Sequence, residues 1–170
     1  MVAKRTEFGA ERNHCACKFC VTNCKFMPGF LIPADLSRMI RHYSLSPIEI
    51  LPWAEENLLA SPGALVMKAG VTFRIPTLVP AVKPDGSCIH LRGKSCDIYQ
   101  IAPFGCAFFS CSHGDEKLSA LGLMEILRDR EERGPYTYVW DHLNKSGLRQ
   151  VRAEELRERM RKAEECFHTS

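Results

Sequence analysis

The sequence predicts an α+β fold: a small metal-organised domain, mainly helical, with a short antiparallel sheet that presents a group of cysteines. Three observations predict it. The chain has 170 residues and nine cysteines, eight of which fall into two groups of four. Apolar residues recur at helical spacing over 33–59, 115–133 and 151–166, while strand formers are confined to a stretch between 64 and 91. A chain of this length builds one packed core. Residues 1–135 read as a cysteine-cluster metal-binding domain, and 136–170 as a C-terminal helical extension packed on it.

The first cysteine group, Cys15, Cys17, Cys20 and Cys24, lies in the run H-C-A-C-K-F-C-V-T-N-C. After Pro33, Leu36, Met39, Ile40 and Tyr43 stand at helical spacing and predict a first helix. Ser46, Pro47 and Glu49 combine a capping box with proline at the first helical position. A second helix over 47–59 follows, burying Ile50, Trp53, Ala54 and Leu58 on one face.

Val71 to Ile75 and Leu78 to Val82 are rich in strand formers, with Pro76 between them. The turn Lys83-Pro84-Asp85-Gly86 delivers Cys88 to the next short strand, and a turn at Arg92-Gly93-Lys94 brings Cys96 back towards it. Cys106 and Cys111 complete the second group. Ile98, Tyr99, Ile101, Phe104, Phe108 and Phe109 form an apolar jacket around it.

From Asp115, an N-cap, a helix runs to Arg133 with Leu118, Leu121, Leu123, Ile126 and Leu127, and Gly134-Pro135 ends it. Tyr136 to Trp140 reads as extended, or as an aromatic clasp onto the core. A final helix over 151–166 has the narrow stripe Leu156, Met160, Ala163 and Phe167, with Glu155–Arg159 and Glu158–Lys162 at i,i+4 spacing. Cys166, alone in that helix, reads as an idle or buried thiol.

Charge and hydropathy exclude several functions. No apolar run approaches the roughly 18 residues of a membrane span. The N-terminus lacks the apolar centre and small-residue site of a secretory signal, which makes the cytoplasm the expected compartment. The whole net charge of +3 sits in residues 1–30, on Lys4, Arg5, Arg12, Lys18 and Lys25 against Glu7 and Glu11. With no sustained basic stripe and no interleaved aromatics, nucleic acid is disfavoured as a partner.

In a reducing compartment, clustered cysteines read as metal ligands before disulfides. Two sets of four thiolates suit two tetrahedral sites, since both zinc and a 4Fe-4S cube take four. The division by sequence need not be the division by site. His14, His90 and His113 each lie within two residues of a cysteine and are additional candidate ligands or donors to sulfur. Spacing alone does not choose the metal: Cys17 and Cys20 make the one C-x2-C pair, and the ferredoxin run C-x2-C-x2-C is absent.

The second group resembles the signature of the YkgJ-like cysteine-cluster family, described as a zinc- or iron-chelating domain. That pattern runs Gly-x-Cys, a short turn, Cys-x-Ile-Tyr, then Arg-Pro-x-x-Cys-Arg. This chain supplies Gly86-Ser87-Cys88, Cys96-Asp97-Ile98-Tyr99 and Pro103-Phe104-Gly105-Cys106 in that order. Cys15 to Cys24 match the family's N-terminal cluster in kind. Ala102 and Ala107 replace the two arginines, and His90 replaces an apolar residue.

The resemblance implies one or more iron-sulfur clusters (4Fe-4S) with ligands drawn from Cys15, Cys17, Cys20, Cys24, Cys88, Cys96, Cys106 and Cys111, working with a redox or other protein partner. Structural Zn2+ in a partner-binding module and an enzyme with an open catalytic metal site are the alternatives. No Ser-His-Asp pattern, phosphate loop or H-E-x-x-H motif points to another chemistry.

Overall fold

The computed structural model describes residues 18–26, 28–68, 70–107, 116–147, 158 and 161. The α+β class is as predicted. Helix α1 (Lys18–Phe26) is followed by α2 (Pro33–His42), α3 (Ile50–Asn57), β1 (Leu58–Lys68) and β2 (Val71–Pro80). Then come β3 (Leu91–Arg92), β4 (Ser95–Cys96), a 3-10 turn (Tyr99–Ile101), α4 (Phe104–Ala107), α5 (Glu116–Glu132) and α6 (Pro135–Ser146).

Helix α2 forms where the periodicity places it. Pro33 needs no hydrogen-bond partner in a first turn, and the Asp35 carboxylate accepts the Ile32 N–H at 2.9 Å. Leu36 and Met39 face the core. Ser46 and Glu49 make their reciprocal contact, with the Ser46 N–H donating to Glu49 Oε2 at 2.8 Å. That contact stabilises a turn over 47–49; the helix itself starts at Ile50 and stops at Asn57. The expected 47–59 helix is therefore shorter, because Leu58 already begins β1.

Strand β1 has no counterpart in the expected strands, which start at Val71. Ser61-Pro62-Gly63 interrupts any alternation in its sequence. Its partner is β2, antiparallel, with Leu58 opposite Pro80 and Lys68 opposite Val71. The register slips between Ser61, paired with Thr77, and Ala64, paired with Ile75. Pro62 and Pro76 both sit in that bulge, where no ladder N–H is needed, so Pro76 lies within a strand instead of dividing two. Gly63 carries a φ of 112°, and a Cβ there would stand 2.0 Å from the Ile75 carbonyl oxygen.

The turn after β2 forms as predicted. Asp85 Oδ1 accepts the Ser87 N–H at 2.9 Å and the Ser87 hydroxyl at 2.7 Å, and Val82 bridges to Cys88. The small β3–β4 ribbon turns at Gly93, pairing Leu91 with Cys96.

Residues 136–140 correct an expectation: they are helical, not extended. The N-cap of α6 is Gly134, which has no side chain to offer, so the capping oxygens come from Asp129 on α5. Asp129 Oδ1 accepts the Thr137 N–H at 2.8 Å and its hydroxyl at 2.7 Å. The aromatic clasp is present all the same. The buried Tyr136 hydroxyl donates to the Leu31 carbonyl and accepts the Leu78 N–H, both at 2.7 Å.

Leu31, Leu36, Met39, Leu58, Ile75, Leu78, Ile126, Tyr136, Val139 and Leu143 form the main core. Helix α6 is thus built into that core. Of the final helix, Glu158 and Arg161 are described, and they pair with each other at 2.7 Å, i,i+3; its other residues lie outside the described ones. No helix among the described residues is long and apolar enough to cross a membrane.

Candidate metal centre

Four cysteines from four separate segments lie near enough to interact electrostatically. Cys24 lies in the last turn of α1, where helix carbonyls lack intrahelical donors. The Cys24 carbonyl accepts the Cys88 N–H at 2.9 Å, which seats the helix end on the loop after β2. Cys96 is held beside that loop by its pairing with Leu91. Cys106 lies in α4, whose start is fixed from below by Asp35: its Oδ2 accepts the Phe104 N–H at 2.6 Å.

The thiols interact electrostatically. Cys88 is pushed up to about 11, first by burial and then by the charges of Cys96, Cys24 and Asp97, against the pull of the His90 N–H. Cys106 is raised well above the ordinary thiol value, first by burial and then by Cys88, Cys24 and Cys96, with the Gly29 N–H opposing. Burial also raises Cys24. All four are thiols and not disulfides. Ionising several of them in this setting is costly, because each thiolate raises the cost of the next.

Four thiols are a donor set of the kind that zinc and iron-sulfur centres take. As they stand, no three His, Cys, Asp or Glu side chains among the described residues are arranged to hold an ion. Two backbone groups serve the sulfurs. The Gly29 N–H donates to Cys106 Sγ at 3.2 Å, and the His90 N–H bonds Cys88. Phe30 and Phe104 pack on each other with ring centroids 5.8 Å apart, and Ile98 and Ile101 are buried.

His90 is buried, and its Nδ1 lies 3.1 Å from Asp97 Oδ1; Arg92 holds the other carboxylate oxygen at 3.0 Å. Burial lowers the His90 pKa, partly countered by Asp97.

Among the described residues, Cys24 of the first group stands beside Cys88 of the second, joined to it through the backbone. Cys20 occupies α1 one turn before Cys24. Cys15, Cys17, Cys111, His14, His113 and Cys166 lie outside the described residues, as do Phe108 and Phe109 of the expected jacket.

Sequence reading misses the pair beneath α4. Arg38 Nη2 donates to Asp35 Oδ1 at 2.5 Å and to the Ala102 carbonyl at 2.9 Å. Asp35 is 0% and Arg38 5% exposed, and Arg38 Nε and Nη1 find no hydrogen-bond partner among the described residues. An acid in the first turn with arginine three residues on is the signal available; nothing in it points to Phe104.

No family model, no curated protein and no solved structure matches the chain.

Proposed function

We propose that this is a metal-binding protein in which Cys24, Cys88, Cys96 and Cys106 jointly hold an iron-sulfur cluster of the 4Fe-4S type, acting in electron transfer or as a cluster-dependent enzyme. The observation that carries the reading is the proximity of four buried or half-buried thiols, each from a different segment, with Cys88 and Cys106 raised first by burial and then by their neighbours' charge. Soft thiolates suit iron-sulfur and zinc centres above harder cations. The resemblance of residues 86–106 to a zinc- or iron-chelating family weighs in the same direction.

Within this reading each group has a task. The four sulfurs supply the ligands, and the bound centre supplies the positive charge that lets them ionise, together with a redox couple. The N–H groups of Gly29 and His90 stabilise the charge on two sulfurs. The cytoplasm, with its reduced thiol pool, and a protein redox partner belong to the same proposal.

Zinc is the second reading, favoured by the His90–Asp97 pair. A carboxylate on one imidazole nitrogen is the arrangement that orients a histidine towards zinc, and His90 stands two residues from Cys88.

Anaerobic purification with metal analysis and an absorption spectrum separates the two. Broad visible absorbance with iron and acid-labile sulfide is the expected result. A colourless protein with stoichiometric zinc supports the second reading and removes the first, and a metal-free protein removes both.

A further inference from the structure

The backbone strap Pro28–Phe30 runs against the start of α4 at unusually short range. A Cβ on Gly29 would stand 2.3 Å from the Cys106 nitrogen and from the Gly105 carbonyl carbon, and one on Gly105 would stand 2.6 Å from the Phe30 nitrogen. Each glycine is needed because the other backbone fills the space of its side chain. Three hydrogen bonds cross this contact, one of them from the Cys106 thiol to the Gly29 carbonyl at 3.8 Å. The Gly105 N–H donates to the Phe30 carbonyl at 2.9 Å, a backbone tie that touches no sulfur. The Gly29 N–H donates to Cys106 Sγ at 3.2 Å.

We infer that Gly29 is a positioning residue for the proposed centre, its N–H orienting the Cys106 sulfur and stabilising it as a metal-bound thiolate. This rests on the metal-binding reading above. The geometry explains why a glycine is required there: only direct backbone contact brings a main-chain N–H to the sulfur, and an N–H stabilises a thiolate without adding net charge. The strap is anchored on both sides. Helix α1, which carries Cys24, ends at Phe26 just before it, and beyond it the Leu31 N–H donates to the Leu78 carbonyl at 2.8 Å. Gly29 therefore ties the sulfur of one proposed ligand to the segment that carries another.

The test removes the N–H and adds no atom. In the full chain, the Gly29 peptide nitrogen is replaced by oxygen through incorporation of glycolic acid, and the same replacement is made at Gly105. Cd2+ alone is the probe, followed by its thiolate charge-transfer absorbance under anaerobic competition with a chelator. A hydrogen bond to a charged acceptor corresponds to about tenfold or more in affinity. The Gly29 ester is expected to weaken Cd2+ binding by about that factor at unchanged stoichiometry, with the Gly105 ester within about twofold of the parent. Equal losses at both positions would make the strap merely structural and overturn the inference, as would no loss at either. A parent protein that binds no Cd2+ would instead overturn the metal-binding reading on which the inference rests.

Discussion

The Cys88 N–H donates to the Cys24 carbonyl at 2.9 Å, joining a cysteine of the N-terminal group to the first cysteine of the central group. One backbone bond thus seats a cysteine of the first group directly on the loop that carries Cys88. It also occupies a carbonyl that the last turn of α1 would leave without a donor.

The Asp35–Arg38 pair beneath α4 is sensitive to loss of either member. Removing the carboxylate leaves a buried guanidinium uncompensated and strips the Ile32 and Phe104 N–H groups of their acceptor. Asp35→Ala is expected to cost about 3–5 kcal/mol in chemical denaturation. Asp35→Leu combined with Arg38→Met is expected to recover part of that, since two Arg38 nitrogens lack hydrogen-bond partners among the described residues. A double variant no more stable than Asp35→Ala would contradict this.

Tyr136→Phe removes a bridge between Leu31 and Leu78 and leaves the buried Leu78 N–H without its acceptor, an expected cost of about 1–3 kcal/mol near neutral pH. The effect depends on pH. Burial holds the Tyr136 phenol far above its ordinary value, the Leu78 N–H opposes, and the charges of Asp35 and Asp129 raise it further. The folded state keeps the proton while the unfolded chain loses it above about pH 10, so this residue's contribution is complete below that pH and falls as pH rises. The stability gap between parent and Tyr136→Phe should narrow by up to about 1.4 kcal/mol per pH unit above it. A gap that widens would refute the assignment.

Asp129→Ala removes the borrowed cap of α6. Because Asp129 serves both the N–H and the hydroxyl of Thr137, the expected loss is about 1–2 kcal/mol. Hydrogen exchange should show the first-turn amides of α6 exchanging faster, Thr137 among them. Unchanged protection at Thr137 would mean that the cap contributes nothing.

What was legible in the sequence was local. The spacing of Leu36, Met39 and Ile40, the turn residues from Lys83 to Gly86, and Gly93 each specify their structure through near neighbours, and each forms as read. Strand β1 is hidden because Pro62 and Gly63 break its alternation, and they are tolerated only where the ladder to β2 skips. Helix α6 is hidden because its cap lies on another helix. For the site, residue type announced thiol chemistry at Cys24, Cys88, Cys96 and Cys106, but which thiols meet is decided by contacts between distant segments. The Asp35 clamp and the Gly29 strap belong to the same class: both act through backbone groups that side-chain patterns do not mark.

The central claim is that Cys24 works with Cys88, Cys96 and Cys106 in one centre. It is tested most directly by metal content per chain in anaerobically purified Cys24→Ser, Cys88→Ser, Cys96→Ser and Cys106→Ser, beside Cys166→Ser as the control. Each of the four variants should lose the same complement of metal while the control keeps the parent's content. Full retention in Cys24→Ser, with loss in the other three, would contradict the claim.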